Sequence, residues 1–399
     1  MKITNMFTPH SSLSPRLARR LAVTAMFVFG WLPSVVESRA ATLSWTGGGG
    51  ANANWNNSAN WGGTGTPGNG DTIIFQSPKA NLVNTNNLVG LTLSQIRFEG
   101  TSGGFDIRGN AFTLTNNIEC TNAAGANSIS NSITLATADQ IVDVTSTLTL
   151  AGTLSGSVGL TKTGAGTLLY QGPGSSTYTG STRVNAGTLQ LNVGGVNAFG
   201  GPLIIGDGSG SGSPVVRLLQ GTEIPDNQPV TVNLGGLLDL NNLSDTIGPL
   251  TIQGATVATG SGQLALNGDL TVLGSAVTPV ITGNLRFNGG MRVVSIADGS
   301  AFYDLNLFAS VSDAGGGLLF TNDAPSATFA RLLGNNSFTG PLIIDNITLT
   351  AETPTALGGT SAGTTVGSHG RLWLYSTGIT NESLTMAGGA TLVGQNDCT

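Results

Sequence analysis

Residues 159–193 read GLTKTGAGTLLYQGPGSSTYTGSTRVNAGTLQLNV, with one short strand pattern after Gly166 and another after Gly187. In the second pattern apolar and polar residues alternate, which is the period of two expected of a half-buried strand. The run between the patterns is rich in Gly, Pro, Ser and Thr and predicts turns. The two glycines lie 21 residues apart, so the stretch predicts a strand, a turn and the return of the chain to a second strand.

The same frame, a glycine followed by apolar residues two and four positions later, recurs along the chain. Its glycines are Gly166, Gly187, Gly236, Gly262, Gly283 and Gly370, at intervals of 21, 49, 26, 21 and 87 residues. The two long intervals are close to two and four units of roughly 22–25 residues, a period typical of solenoids. One such turn cannot bury its apolar face alone, whereas stacked turns share a continuous core.

Two segments of this stretch, 160–168 (LTKTGAGTL) and 178–189 (YTGSTRVNAGTL), resemble the passenger-associated, or autotransporter-associated, β-strand repeat. The pattern of that family is similar to G-L-x-K-x-G-x-G-T-L, then a Tyr-Thr-Gly turn, then V-x-x-G-T-L. A second, degenerate turn reads NSFTGPLII at 336–344, with Phe338 in the tyrosine position. The resemblance is close over about 30 residues and implies an exported passenger built as a right-handed parallel β-helix, the handedness that the general rule for parallel crossovers also favours.

The composition supports a stacked sheet and argues against nucleic acid as a partner. Of 399 residues, 60 are Gly and only 9% are charged, well below the roughly 25% usual for globular domains. We interpret the glycines as corners where a positive φ is needed. Without residues 1–40 the chain holds 10 basic and 20 acidic residues, with no basic cluster for phosphates.

Residues 1–40 are predicted to be a secretory signal peptide. Arg16, Arg19 and Arg20 precede an apolar run at 21–32, and Ser38 and Ala40 form a small-x-small cleavage site. The apolar run of about 12 residues is too short to span a bilayer. We therefore expect a secreted or cell-surface protein, with a retained membrane anchor as the alternative.

Residues 41–75 are predicted to form an N-terminal cap rich in Trp, Gly and Asn. A solenoid leaves the edge of its first turn unpaired, and Trp45, Trp55 and Trp61 are suited to close the end of the core. The alternative is that these three tryptophans form an aromatic platform that contacts a glycan. Openings of this kind are similar to those of the resembling repeat family, which favours the cap.

Residues 76–399 are predicted to be β-solenoid repeats, best defined at 159–193 and open at the C-terminus. Short alternating segments continue the pattern before the best repeat, at 91–93, 96–98, 112–114, 133–135 and 148–150. The glycine- and serine-rich run at 206–212 predicts an outward loop. No segment resembles the membrane barrel of autotransporters, so we expect either a shortened gene product or a passenger fragment, and any outer-membrane translocator would be a separate partner.

We predict neither catalytic residues nor a cofactor or metal site. His369 is the one histidine outside the predicted signal, and the G-G-x-G-x-D calcium repeat is not present. Hydrolysis of a glycoside needs two carboxylates at a fixed separation. The acids here are scattered, although stacking could bring members of the following pairs near other acids: Asp139 with Asp143, Asp239 with Asp245, and Asp298 with Asp304.

Two further features have structural interpretations. The resembling repeat includes Lys162, which we expect to extend over apolar surface with its ammonium in solvent. Cys120 and Cys398 are too few for a disulfide framework, and whether they pair is left open.

The sequence thus predicts an exported structural stalk, adhesin-like or assisting passenger secretion, which contacts a surface glycan or a host or neighbouring cell. The rival prediction is a carbohydrate-binding or carbohydrate-active β-helix, either a lyase or a hydrolase. For the stalk we expect one inward column of stacked leucines, comprising Leu189, Leu238, Leu264, Leu285 and Leu372.

Overall fold

The structure, a computed structural model, describes residues 40–322, 328–379 and 382–396. The predicted signal, apart from Ala40, therefore lies outside the described residues. Cys398, whose pairing with Cys120 the sequence leaves open, lies outside them too.

The described chain is an all-β solenoid of about 14 turns in which every paired strand is parallel to its partner. A representative turn runs through the strands Leu154–Gly156, Leu160–Thr163 and Thr167–Tyr170, which lie on three successive faces. In the next turn, the strand Thr182–Val184 lies on the same face as Leu160–Thr163 and pairs with it in parallel. This arrangement confirms the predicted parallel β-helix.

The strands fall on three faces, which we number in the order in which the chain visits them after the cap. Face 1 contains Thr42–Ser44, Asp71–Ser77, Thr92–Gly100, Ile118–Cys120, Gln140–Val144, Leu160–Thr163, Thr182–Val184, Leu203–Ile205, Val230–Val232, Leu250–Ile252, Leu270–Val272, Arg292–Ile296, Leu318–Thr321, Leu342–Ile344, Thr364–Val366 and Leu384–Met386. Face 2 contains Val83–Asn86, Asp106–Gly109, Ala126–Ile129, Thr147–Leu150, Thr167–Tyr170, Thr188–Leu191, Val215–Leu218, Leu237–Asp239, Thr256–Leu266, Val280–Phe287, Leu305–Leu307, Phe329–Leu332, Thr348–Ala351, Arg371–Tyr375 and Thr391–Gln395. Face 3 contains the shorter strands Phe112–Leu114, Ile133–Leu135, Leu154–Gly156, Asp245–Ile247 and Ser310–Asp313.

Three long strands turn a corner and belong to two faces. The first part of Thr92–Gly100 pairs on face 3 and its second part on face 1. Similarly, Thr256–Leu266 and Val280–Phe287 start on face 2 and end on face 3. The segments predicted as strands at 91–93, 96–98, 112–114, 133–135 and 148–150 are all strands apart from Leu91.

The 21-residue interval that defines the repeat is one turn of the solenoid. The strand Thr167–Tyr170 pairs with Thr188–Leu191, so that residues 21 positions apart lie side by side. The corners stack as well: Gly187 has φ of +64°, and a Cβ there would lie 2.5 Å from the carbonyl oxygen of Gly166. Only glycine fits this corner, because both the positive φ and the close backbone approach exclude a side chain.

The core consists of inward side chains that stack from turn to turn. On face 2 one column continues through nine successive turns, and each member is at most 1% exposed. Its members are Leu148, Leu168, Leu189, Val216, Leu238, Val257, Ile281, Leu307 and Leu332. Each buried side chain of this kind contributes about 1.5–3 kcal/mol.

The predicted single leucine column is wrong, although all five leucines are buried. Leu189 and Leu238 share the face 2 column, whereas Leu264 and Leu285 pair with each other on face 3. Leu372 lies on face 2 but in the neighbouring inward column, where it pairs with Leu349. The glycine–leucine pattern occurs in strands that follow a corner on any face of the solenoid. The alternation of apolar and polar residues therefore shows which side chains face inward, but not on which face the strand lies.

The two ends of the described solenoid differ. At the start, the 3-10 helix Ser58–Trp61 is capped by Asn57, whose side chain accepts from the backbone N–H of Ala59 at 3.2 Å. At the last described turn Leu384, Met386 and Leu392 are 37–48% exposed. The 206–212 run is largely exposed and contains no strand, as predicted for an outward loop.

Candidate functional site

The three N-terminal tryptophans pack together in the core. Trp61 makes edge contacts with Trp45 and Trp55, with ring centroids 5.1 and 5.9 Å apart. The cluster continues into the body through Phe75, whose ring lies 5.5 Å from that of Phe98 and is stacked on it. The strand Asp71–Ser77, which carries Phe75, is already a strand of face 1, so the aromatic cluster closes directly onto the first turns.

Each indole N–H in this cluster has a hydrogen-bond acceptor. Trp45 Nε1 donates to the carbonyl oxygen of Asn81, Trp55 Nε1 to Asn84 Oδ1 and Trp61 Nε1 to the carbonyl oxygen of Trp55, at 3.2, 2.7 and 2.8 Å. All three rings are at most 1% exposed. Their role as glycan contacts stays a prediction, and the burial of the ring faces argues against it because a sugar needs an open ring to stack on.

Lys162 differs from its predicted position. Its side chain points inward and is 0% exposed, and Nζ donates to the carbonyl oxygens of Thr163, Gly164 and Ala186 at 2.9, 2.8 and 3.0 Å. Burial lowers the pKa of Lys162 to about 8. The expectation of an ammonium in solvent is wrong, because stacked corners supply three carbonyls that replace water.

The acids considered as catalytic pairs have separate structural partners. Asp139 accepts from the backbone N–H of Gly159 at 2.6 Å, and Asp143 accepts from the Thr163 hydroxyl at 3.0 Å. Asp239, on face 2, forms an ion pair with Arg217 at 2.8 Å.

Asp304 and Asp245 are bound to backbone amides. Asp304 accepts from the N–H groups of Gly299 and Phe329, and burial raises its pKa. Asp245, on face 3, likewise binds backbone N–H groups and is 3% exposed. The negative charge of Asp298 adds to the rise in the pKa of Asp304.

Stacking does bring one pair of acids together, and the sequence analysis missed it. The buried carboxylate of Glu223 accepts from the N–H of Val193 at 2.9 and 3.0 Å and from that of Gly194 at 3.2 Å. Asp245 Oδ2 in turn accepts from the N–H groups of Glu223 and Ile224 at 3.0 and 3.1 Å. Burial is the main cause that raises the pKa of Glu223 to about 7 and that of Asp245 to about 6. Both groups serve as hydrogen-bond acceptors for irregular backbone rather than facing an open cleft.

Metal and thiol chemistry have few candidates in the described ranges. No group of three or more His, Cys, Asp and Glu in them is arranged to hold a metal ion. His369 is exposed, with its Nδ1 3.1 Å from the hydroxyl of Ser368. The Cys120 thiol is buried 3.2 Å from Asn122 Oδ1, and burial raises its pKa. Within the part of the chain that the structure describes, no helix is both long and apolar enough to cross a membrane.

The exposed aromatic side chains gather elsewhere, on the outer surface of face 2. Phe302 is 68% exposed, and its ring stacks on that of Phe329 with centroids 5.5 Å apart and an interplanar angle of 12°. The Tyr303 ring meets Phe302 edge-on at 4.8 Å. Phe302 and Tyr303 precede the strand Leu305–Leu307, and Phe329 begins the strand above it.

A charged pair lies beside these rings. The Arg331 guanidinium is 4.6 Å from the centre of the Tyr303 ring and binds Glu352 in a bidentate fashion, with N–O distances of 2.5 and 2.7 Å. Hydrogen bonding to Glu352 raises the pKa of Arg331, and Tyr303 and Tyr375 add to this effect. Arg331 is therefore held in place by Glu352 and by the Tyr303 ring.

Strand register adds a tryptophan to the same surface. Arg331 pairs with Thr350, and Thr350 pairs with Trp373, so that their side chains share one outward column. Two residues beyond Trp373, Tyr375 is 38% exposed. We define the aromatic patch as Phe302, Tyr303, Phe329, Arg331, Trp373 and Tyr375.

The sequence contains one local signal for the aromatic patch. In the strand Arg371–Tyr375 the leucines occupy the alternate positions that face the core, which leaves Trp373 and Tyr375 on the outer side. An aromatic residue in an outward position is unusual in a chain whose outer positions are mostly Thr, Ser and Asn. The proximity of residues 302, 331 and 375, in contrast, depends on the stacking of the turns.

Comparison with known proteins connects this solenoid with one class of surface protein. Over 206 residues the chain is 29% identical to the adhesin BmaC autotransporter of Brucella suis biovar 1 (strain 1330). The match covers 49% of this chain and 6% of that protein, so it concerns a small part of a much longer relative. No family model and no solved structure matches the chain. The β-solenoid and this similarity fit an autotransporter passenger-like protein.

Proposed function

We propose that the chain is an exported, adhesin-like passenger segment that acts as a structural stalk and carries out no catalysis. The observation that carries this proposal is the uninterrupted parallel stacking of about 14 turns, each buried against its neighbours. The similarity to an autotransporter adhesin supports it. The stalk belongs on the cell surface or outside the cell, reached through the predicted signal at residues 1–40.

The geometry suits a spacer that holds a contact surface away from a membrane. Neighbouring strands are about 4.8 Å apart, so 14 steps extend about 65–70 Å. Each turn is hydrogen-bonded to the turns on both sides, which makes bending costly. An outer-membrane translocator, and a glycan or cell surface as the target, are the partners that we propose for this function.

The absence of catalysis is proposed from the arrangement of the acids. Asp139, Asp245 and Asp304 each bind backbone N–H groups within the fold, and Asp239 is neutralised by Arg217. Such carboxylates are already occupied as hydrogen-bond acceptors. A polysaccharide lyase or hydrolase would need acids that converge on one open groove.

Export is tested by expressing the full chain in a Gram-negative bacterium and sequencing the N-terminus of the protein recovered outside the cytoplasm. We expect cleavage after Ala40 and recovery of the processed chain in the periplasm, on the surface or in the medium. A variant that replaces three leucines or valines of the 21–32 run with Asp should remain cytoplasmic. Unprocessed chain confined to the cytoplasm in both cases would overturn the proposal.

Catalysis is tested separately by incubating the purified chain with a panel of plant and bacterial polysaccharides. We expect no new reducing ends and no unsaturated products. Turnover that disappears in Asp245→Asn or Asp239→Asn, but not in Asp106→Asn on a distant turn, would favour the carbohydrate-active alternative. The carbohydrate-binding alternative has a specific observation in its favour, the aromatic patch.

A further inference from the structure

The exposed aromatic residues are concentrated in one region of the described chain. Phe302, Phe308 and Tyr375 are 68%, 47% and 38% exposed, and all three lie on turns that contribute to face 2 between residues 302 and 375. Surface hydrophobic residues scattered singly need no explanation, whereas a gathered group marks an interaction site. The tryptophans of the cap, in contrast, are fully buried.

The rings have an arrangement that suits a flat, partly apolar ligand. The Phe302 ring is fixed on one side by stacking on Phe329 and is 68% exposed, so its other side faces solvent. The perpendicular Tyr303 ring holds it from the side. A ring that is held on two sides loses little conformational entropy when a ligand stacks on it.

The polar groups beside the rings can bind hydroxyls. Arg331 and Glu352 form a planar fork in which donors and acceptors lie side by side, and neighbouring hydroxyls of a sugar can bind both. Because the two charges compensate each other, the centre of the patch has no net charge.

Three further polar atoms lie in the same outward column and are without a hydrogen-bond partner among the described residues. They are Asn306 Oδ1, Thr350 Oγ1 and Trp373 Nε1, an acceptor, a hydroxyl and a donor. Neighbouring side chains cover these atoms, so a ligand would reach them after a side-chain rotation. Sugar hydroxyls both donate and accept, so one kind of ligand group can satisfy all three.

We propose that the aromatic patch is a glycan-binding site. The apolar C–H face of a pyranose stacks on Phe302 and Tyr303, while its hydroxyls bind the Arg331–Glu352 fork and the indole N–H of Trp373. A purely apolar protein partner fits less well, because it would bury the Arg331–Glu352 pair and leave the polar column unsatisfied. The site gives the proposed adhesin-like stalk its target class, and in that sense it rests on the proposed function.

Binding is tested with the purified full chain on an array of plant, bacterial and animal glycans, followed by titration of the best ligand. We expect Phe302→Ala and Arg331→Gln each to weaken binding about tenfold or more, the factor that corresponds to the loss of one good contact. Val89→Ala, which alters a 90% exposed side chain far along the chain, is the matched control and should bind like the parent. Tyr375→Ala is a third patch variant, and because the Tyr375 side chain is exposed, its removal should leave the core intact.

Tryptophan fluorescence supplies a readout that does not depend on the array. The described tryptophans other than Trp373 are buried in the cap, so among the described tryptophans only Trp373 should change its emission when a glycan binds at the patch. The change should be absent in Trp373→Phe and retained in Trp61→Phe. The circular dichroism spectrum and thermal midpoint of each variant show whether it has folded.

Several results would overturn the assignment. They are binding to no glycan, binding that is unaffected by all three patch variants, and a fluorescence change that persists in Trp373→Phe but disappears in Trp61→Phe. Retention of a polypeptide ligand in place of any glycan would overturn it too. The binding measurements use purified chain in solution and do not depend on export. A failure to bind glycans therefore contradicts the glycan-binding site alone, and a failure of export contradicts the proposed function alone.

Discussion

From the buried acids Glu223 and Asp245 we predict that stability falls as the pH rises from about 4 to about 7. Burial raises the pKa of Glu223 from 4.5 to about 7 and that of Asp245 from 3.8 to about 6. At a pH between the pKa of the unfolded chain and that of the folded chain, the folded chain keeps a proton that the unfolded chain releases. The stabilisation is therefore complete below about pH 4 and is lost as pH rises to about 7.

The size of the effect follows from the change in pKa. For Glu223, the difference between 4.5 and about 7 corresponds to about 3 kcal/mol, at about 1.4 kcal/mol for each tenfold change. In a solenoid this loss is local, since each turn contacts only its neighbours. The backbone N–H groups of Val193 and Gly194, which donate to the Glu223 carboxylate, should report it most directly.

Hydrogen exchange of these amides at pH 5 and pH 8, corrected for the intrinsic pH dependence of exchange, measures the prediction. We expect protection at Val193 and Gly194 to fall by up to about 100-fold between the two pH values, because the interval from pH 5 to the folded pKa of about 7 covers about two tenfold steps. Glu223→Gln does not titrate at position 223 and should leave only the smaller dependence of Asp245, about tenfold between pH 5 and its folded pKa of about 6. Asp239→Asn, at an exposed ion pair, should leave the parent dependence unchanged. Equal corrected protection at both pH values in the parent chain would refute the reasoning, as would an undiminished dependence in Glu223→Gln.

Three substitutions test the packing. Leu264→Asp places an unpaired carboxylate in the core beside Asp245 and should cost more than the 2–5 kcal/mol of a leucine-to-alanine change. Loss of hydrogen-exchange protection should centre on the turn that contains residue 264, and unaltered protection would show that this side chain does not face the core. Trp55→Ala should cost about 3–5 kcal/mol in chemical denaturation, with a near-zero change counting against a buried cap. Tyr178→Phe, which removes a hydroxyl 2.6 Å from that of Thr182, should cost about 1 kcal/mol, and a much larger loss would mean that the hydroxyl has a further role.

The local pattern was sufficient to predict the fold class. The 21-residue interval between Gly166 and Gly187 is one turn of the solenoid, and the strands predicted before it are present. The apolar side of each strand was also predicted, since Leu189 and Leu264 are both buried. What failed was their grouping into one column, because strands on different faces carry the same two-residue period.

The candidate site was much less predictable. The sequence directed attention to Trp45, Trp55 and Trp61, because they are close together along the chain. Their rings are buried in this structure, whereas the aromatic patch is assembled from residues as distant as Phe302 and Tyr375. Lys162 shows the same limit, because one of its three acceptors, the Ala186 carbonyl, comes from the next turn.

The sequence by itself determined that the described chain would be a parallel β-solenoid closed at its start by tryptophans. Alternation and glycine corners are local properties, and at a regular interval of 21 residues they favour turns that stack and bury their apolar sides against one another. Only the tertiary structure decided which turns lie above one another, because insertions such as the 206–212 loop change the number of residues per turn without changing the strand pattern. The Glu223–Asp245 pair and the aromatic patch both depend on that stacking, since their members meet across turns that lie 20 or more residues apart.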